Sequence, residues 1–423
     1  MQSGWNIVLM LCCALAFSAQ AHDSREVVGD IATLIENNYF DETKANELAR
    51  DLRNTARAGT FDRFVQPRDL ASALTSRLQQ VDRHFNVFWV QGRAAWSDRI
   101  SAGNEAPRVF GGESYGFRTV SMLPGGIGYI DIRSFAYVSA RADEPARLAA
   151  DAALQLIANA SAVIIDLRNC IGGYAQMSSY LVSSFTAADA EIFNVVHRRD
   201  GIESERPALP YRQPRTNVPL YVLVSGTTAS AGESAAYTLQ AAKRALIVGE
   251  RTSGAANPGG SFPVRDGFNV FISIGTPINP ITKTNWEAAG VTPDVTVASE
   301  LALDHAQRLA LERLLGDASG VTNLERTWAL EALHARTRPP RGLVLPQYVG
   351  RYGEAEISMS NGTLQLRRGR RAVLTLTSLR ADEFFVAGEP TQRVVFERDS
   401  KAAITGFQLV RSSTYSMWFP RDE

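Results

Sequence analysis

Ser225–Tyr237 reads S-G-T-T-A-S-A-G-E-S-A-A-Y and follows the apolar run Val218–Val224, V-P-L-Y-V-L-V. The run has the length and β-branched content of a buried strand. The small residues after it form a junction, and Glu233–Leu246 has helical composition. A serine at a strand-to-helix junction is placed for nucleophilic chemistry. Its small neighbours admit substrate backbone, and amide N–H groups at a helix start can stabilise an oxyanion. An ordinary loop and N-cap use the same residues, so Ser225, Ser230 and Ser234 all stand as candidates and the rest of the chain must decide.

The 423 residues carry 44 Lys+Arg against 44 Asp+Glu. A net charge of zero gives no electrostatic case for nucleic acid, and the length allows two or three domains with a large core. Ile7–Phe17 is apolar but too short to span a bilayer, and Ser18-Ala19-Gln20-Ala21 ends in a small-residue cleavage pattern. Residues 1–21 therefore read as a secretory signal, with a periplasmic or extracellular mature chain that starts at His22 and has no membrane span. Cys12 and Cys13 leave with that segment, so Cys170 remains as a lone thiol, a small buried hydrophobe without a disulfide partner.

Helical periodicity marks Arg25–Asn37, Lys44–Ala58 and Arg68–Val81, giving an N-terminal helical domain over 22–92 with a strand at Asn86–Val90. Ser, Gly, Asn and Pro make 93–116 a linker or loop. From Phe117 the pattern alternates: a hairpin of Phe117–Met122 and Ile127–Ile132, a helix at Glu144–Ile157, a strand at Ala162–Ile165, a helix at Tyr174–Ser184 and a strand at Glu191–His197. After the serine junction come strands at Ala245–Val248 and Phe268–Ile274, then helices at Asp304–Leu315 and Leu324–Arg336. The α/β core is thus expected over 117–337. A Pro-rich linker at 338–344 then precedes a separate antiparallel β domain over 345–423.

Four segments resemble, in order, the motifs of the C-terminal-processing (tail-specific) serine peptidase family. They are D-L-R-N-C-I-G-G at Asp166–Gly173, T-A-S-A-G-E at Thr228–Glu233, G-E-R-T-S-G-A-A-N-P-G at Gly249–Gly259 and N-W-E-A-A-G-V-T-P-D-V at Asn285–Val295. The resemblance implies a crotonase-like core of ββα turns and places the nucleophile at Ser230, the third residue of the second motif. The bacterial tail-specific enzymes take their base from a lysine directly after T-x-G; here that position is Ala255. The chain is instead similar to the tricorn-like and retinoid-binding-protein-like branch, whose base is the histidine of an N-terminal D-x-H element, matched by Asp82-Arg83-His84. Arg83 departs from that branch, which has a serine there.

This reading makes His84 the base, ahead of His22, His197, His305 and His334, and Glu287 the carboxylate that fixes its tautomer. Gly172, Gly173 and Ala231 are the expected oxyanion-hole residues, since glycine lets substrate backbone approach closely. Glu233 and Glu250 are expected to order the helix start and loops, and Asp166 and Arg168 to pair within the core. No H-E-x-x-H, C-x-x-C, P-loop or G-x-G-x-x-G element points to a metal or nucleotide, so no cofactor is expected. The implied activity is hydrolysis of peptide or unfolded protein substrates; a homo-oligomer is compatible with the sequence. The rival readings are a non-catalytic binder of apolar ligands or peptides on the same scaffold, and an esterase-like acyl hydrolase.

Overall fold

The computed structural model describes residues 23–90, 114–316, 321–337, 340, 342–412 and 415–422. The expected signal at 1–21 and the 93–113 part of the expected linker lie outside the described residues. The chain forms two compact units, Met1–Ser97 with Gly259–Ile274, and Asp98–Pro258 with Gly275–Glu423.

The first unit contains helices α1 (Ser24–Asn38), α2 (Glu42–Arg57) and α3 (Pro67–Leu78), followed by strand β1 (Asn86–Trp89). Asp23 and Asp41 cap α1 and α2 by accepting from backbone N–H groups one turn on, and Pro67 opens α3. Their apolar faces meet in one core with Val27, Ile31, Leu52, Leu74 and Phe85 fully buried. The sequence assigned Phe268–Ile274 to the α/β core, but this run belongs here. Strands Gly259–Pro263 and Phe268–Ser273 form an antiparallel sheet with β1, Asn86 lying opposite Phe271. Phe268, Val270 and Ile272 alternate into the helical core, which is why the chain returns to this unit.

The second unit is built on a six-stranded sheet. Its strands are β2 (Phe117–Leu123), β3 (Ile127–Ile132), β4 (Ala162–Asp166), β5 (Leu220–Val224), β6 (Leu246–Gly249) and β7 (Val295–Thr296). They lie side by side in chain order. β2 and β3 form the expected hairpin, and every later pairing is parallel. Helices α4 (Pro145–Leu156), α5 (Ala175–Ser183) and α6 (Ala231–Ala241) lie within the connections between these parallel strands. Sequential strand order with crossovers of one hand places all three on one face. There Val163, Ile165, Val222 and Val224 pack with residues of all three helices. The alternate residues Ala162, Ile164, Tyr221 and Leu223 face α7 (Ala302–Leu315) and α8 (Val321–Thr337). A sheet covered on both faces needs unbroken apolar strands, the reason A-V-I-I and L-Y-V-L-V are so conspicuous in the sequence.

Two boundaries differ from expectation. α6 ends at Ala241, and Lys243 adopts φ 52°, so the run beyond it turns into β6 instead of prolonging the helix. The strand expected over Glu191–His197 is confined to Val195–Arg198, which pairs with Gly201–Ser204 and Thr276–Ile278.

Residues 350–420 form an eight-stranded antiparallel sheet in sequential order around Tyr348, Tyr352, Phe384 and Phe407. The expected separation at 338–344 is not a unit boundary, because this sheet shares a compact unit with the α/β core. Arg393, 1% exposed, gives a physical reason. Its guanidinium lies over the Trp328 ring of α8 and donates to Trp328 O at 2.8 Å and to Glu331 at 3.1 Å. Truncating one partner of a buried pair leaves the other charge uncompensated. Arg393→Ala should therefore lower unfolding free energy by about 3 kcal/mol in urea denaturation. A loss below about 0.5 kcal/mol would show the contact to be incidental.

Candidate active site

Strand β5 is fully buried and delivers Ser225–Ser230 to the start of α6. Ser230, half-buried, caps α6 with φ 49° and ψ −119°, a conformation that costs a non-glycine residue on the order of 1–3 kcal/mol. Its surroundings over-determine that strained turn. Ser230 N donates to Glu233 Oε2 at 3.0 Å, and Ser234 N to Ser230 O at 2.9 Å. The neighbouring serines are committed elsewhere: Ser225 Oγ donates to Arg168 O at 2.5 Å and Ser234 Oγ to Glu205 at 2.9 Å. Among the described residues the Ser230 hydroxyl donates to no acceptor.

Glu233, fully buried, is a hub with five donors. Besides Ser230 N, its carboxylate accepts from Thr252 Oγ1 at 2.5 Å, Ser253 Oγ at 3.1 Å, Gly254 N at 2.7 Å and Ala255 N at 2.8 Å. It thus ties the loop carrying Ala255 to the first turn of α6. The same loop is gripped at its far end by Glu287, whose Oε2 accepts from Ala256 N at 2.8 Å and Asn257 N at 3.1 Å. Buried Trp286 packs on Tyr237 of α6 at 5.0 Å between ring centroids. Glu250 accepts from Ser299 N at 3.2 Å, a loop-ordering role of the expected kind.

The D-L-R-N-C-I-G-G segment lies beside the serine. Asp166 and Arg168 form the expected core pair, joined by two hydrogen bonds of 2.9 and 2.6 Å, with Tyr129 donating to Asp166. Cys170 is fully buried, and burial pushes its thiol up to about 12, so it has no thiolate to offer. Gly172 and Gly173 have φ 100° and 125°. Phe135 N donates to Gly172 O at 2.8 Å and Tyr174 N to Phe135 O at 2.9 Å, which fixes the glycines next to the serine. Among the described residues the N–H groups of Gly173 and Ala231 donate to no acceptor, whereas that of Gly172 is drawn to the Cys170 sulphur. A Cβ on Gly172 would sit 2.7 Å from Ser230 Cβ and 3.0 Å from Ala229 O. Gly172→Ala should therefore displace the serine, with turnover falling on the order of 10²-fold while the chain stays folded. Steady-state kinetics and melting curves check this; undiminished turnover would mean the contact is not part of the working site.

In the first unit, the turn after α3 carries Asp82 and His84. Asp82, 4% exposed, accepts from His84 N at 2.8 Å, and its Oδ1 lies 3.1 Å from His84 Nδ1. Burial alone would raise this carboxyl, but the His84 ring and amide at its oxygen outweigh it and hold it at about 2. The imidazole stacks near Phe271 at 6.4 Å. The carboxylate at Nδ1 is Asp82. The one-residue spacing of Asp82-Arg83-His84 was the available signal, because a carboxylate two residues away can reach both the amide and the ring. Arg83 itself is exposed, and His197 is an exposed strand residue.

Ser230 thus stands with positive φ at a parallel-strand-to-helix junction, with Gly172 packed against it. Residues 126–297 match Peptidase family S41, and that segment belongs to this family. It contains Ser230, Gly172, Gly173 and Glu287, whereas Asp82 and His84 precede it. The chain is 30% identical over 135 residues to the chloroplastic carboxyl-terminal-processing peptidase 1 of Arabidopsis thaliana, covering 32% of this chain and 27% of that protein. It is 32% identical over 137 residues to a carboxyl-terminal-processing protease of Picosynechococcus, covering 32% of each. The matches span roughly a third of the length of these relatives. A solved putative peptidase from Parabacteroides merdae aligns with a TM-score of 0.49 at 18% identity, over 70% of this chain and 99% of that one.

Proposed function

We propose that the chain is an exported serine peptidase that hydrolyses peptide bonds in peptide or unfolded protein segments. The observation that carries this is Ser230, alone among the junction serines in donating its hydroxyl to no described acceptor and set in a strained turn against Gly172. Ser230 is the nucleophile. His84 is the base that takes its proton, a role that requires hydrogen-bond reach between His84 Nε2 and Ser230 Oγ. Asp82 keeps the imidazole in the tautomer with Nδ1 protonated and stabilises the imidazolium. The N–H groups of Gly173 and Ala231, with Gly172 shaping the approach, stabilise the oxyanion of the tetrahedral intermediate. The proton then passes from the imidazolium to the leaving amine, and water repeats the sequence on the acyl-enzyme. Glu287 supports the site through Ala256 and Asn257.

The reading is tested by incubating the purified chain with casein and with matched peptide amides and esters. Cleavage of casein and amides with defined new termini is the expected result. Turnover of esters alone would mark an acyl hydrolase, and turnover of neither would mark a binding protein. The apolar run at Ile7–Phe17 and its cleavage pattern support export.

A further inference from the structure

We propose that Glu205 is a positioning residue for the nucleophile helix, holding its first turn through the hydroxyl of Ser234 as Glu233 holds it through the amide of Ser230. This rests on the peptidase reading above and adds a residue that none of the four sequence motifs contains.

Glu205 follows the hairpin of Val195–Arg198 and Gly201–Ser204. Its Oε2 accepts from Ser234 Oγ at 2.9 Å and from Asn194 Nδ2 at 2.8 Å, and its own N–H donates to Asn194 O at 2.9 Å. Ser234 lies four residues after Ser230, and its amide is bonded to Ser230 O. A pull on Ser234 is therefore a pull on the turn that carries the nucleophile. Asn194, fully buried, extends the network to Asn279, whose Nδ2 donates to Asn194 Oδ1 at 2.9 Å and to Ile192 O at 3.1 Å. α6 is thus clamped twice, by Glu233 to the loop at 252–255 and by Glu205 to the segment at 192–205.

The clamp has an unusual electrostatic setting. The hydrogen-bond donors at the Glu205 carboxylate are neutral. The adjacent Arg206 is spent on Glu191, Ala188 O and Ala190 O, and Arg198 on Glu203. From α6 the facing groups are Ser234 and Thr238, from the 279 segment Asn279, and among the described residues the charge acting on Glu205 is that of Glu203. Burial is the main cause pushing Glu205 above the usual carboxylate range, with Glu203 adding to it. A carboxylate desolvated without a cation is costly where two neutral partners would suffice. What it supplies is charge-assisted bonds that fix the serine hydroxyl. Protonation gives up acceptor capacity, so the clamp weakens as pH falls through a carboxyl titration displaced upward.

The test uses the full mature chain with Glu205→Gln, Ser234→Ala and the double variant. Displacing a nucleophile by a fraction of an ångström should lower kcat on the order of tenfold, and KM should stay within about twofold because substrate binding is untouched. Glu205→Gln should also remove the contribution of Glu205 to the acid limb of kcat, leaving the limb that protonation of the base imposes. Because the two side chains act through one bond, the double variant should be no slower than either single one. Wild-type kcat with an unchanged acid limb in Glu205→Gln, or losses that multiply in the double variant, would overturn the proposal. Amide hydrogen exchange over 231–241 at a single pH separates this from the peptidase reading. If the wild type hydrolyses nothing, faster exchange in both single variants still supports the clamp, and unchanged exchange rejects it.

Discussion

Ser230→Ala should abolish hydrolysis while leaving the chain folded. The hydroxyl lies in a turn lined by Gly172 and Ala229, so its removal opens no large cavity in the core. Loss of a serine nucleophile leaves only the contribution of binding and oxyanion stabilisation, so kcat should fall on the order of 10⁴-fold or more. The backbone anchors survive, because Glu233 accepts from the amide of residue 230 and not from its side chain. Alanine must still adopt φ near 49°, and melting should drop by no more than a few degrees. Turnover within tenfold of wild type would remove Ser230 from the chemistry.

The second large effect concerns the base and its partner. His84→Ala should be as damaging as Ser230→Ala, whereas Asp82→Asn should cost on the order of 10²–10⁴-fold, because the amide can present the wrong hydrogen to Nδ1 and lose the imidazolium's counter-charge. Glu287→Gln, which keeps an oxygen to accept from the amides of Ala256 and Asn257, should be milder. If Glu287→Gln is the more damaging of the two carboxylate changes, the orienting role returns to Glu287. Asp82 also predicts a stability change with pH. Its folded value is about 2 against an unfolded value near 3.9, so its ionised form stabilises the fold. That contribution, about 2–3 kcal/mol, is complete above about pH 5 and is lost as pH falls through about 2. Urea denaturation at pH 7 and pH 2.5 should show a smaller difference for Asp82→Asn than for wild type.

What was legible in the sequence follows from range. α1 to α3 were readable because their apolar spacing and Asp23, Asp41 and Pro67 are local signals. β4 and β5 stood out because a sheet covered on both faces demands unbroken apolar runs. The placement of Phe268–Ser273 beside Asn86–Trp89 was not readable, since strand partners some 180 residues apart leave no local mark. The end of α6 was misjudged for a similar reason: Ala242–Leu246 suits helix or strand, and the turn at Lys243 decides. At the site, Ser230, the paired glycines and His84 were proposed on motif alone. Asp82 was quoted with His84 but assigned no bond, although a carboxylate two residues before the histidine is within reach of its amide and ring. Glu205 had no signal, lying in a polar stretch outside the four motifs.

The central claim is that Ser230 is a nucleophile activated by His84. A fluorophosphonate probe, which labels serines activated in this way, tests it most directly when followed by peptide mapping of the adduct. The account predicts a single adduct on Ser230, formed more slowly as pH falls and the imidazole is protonated, and absent in His84→Ala. An adduct on Ser225 or Ser234, no adduct on the wild type, or unimpaired labelling of His84→Ala would contradict it.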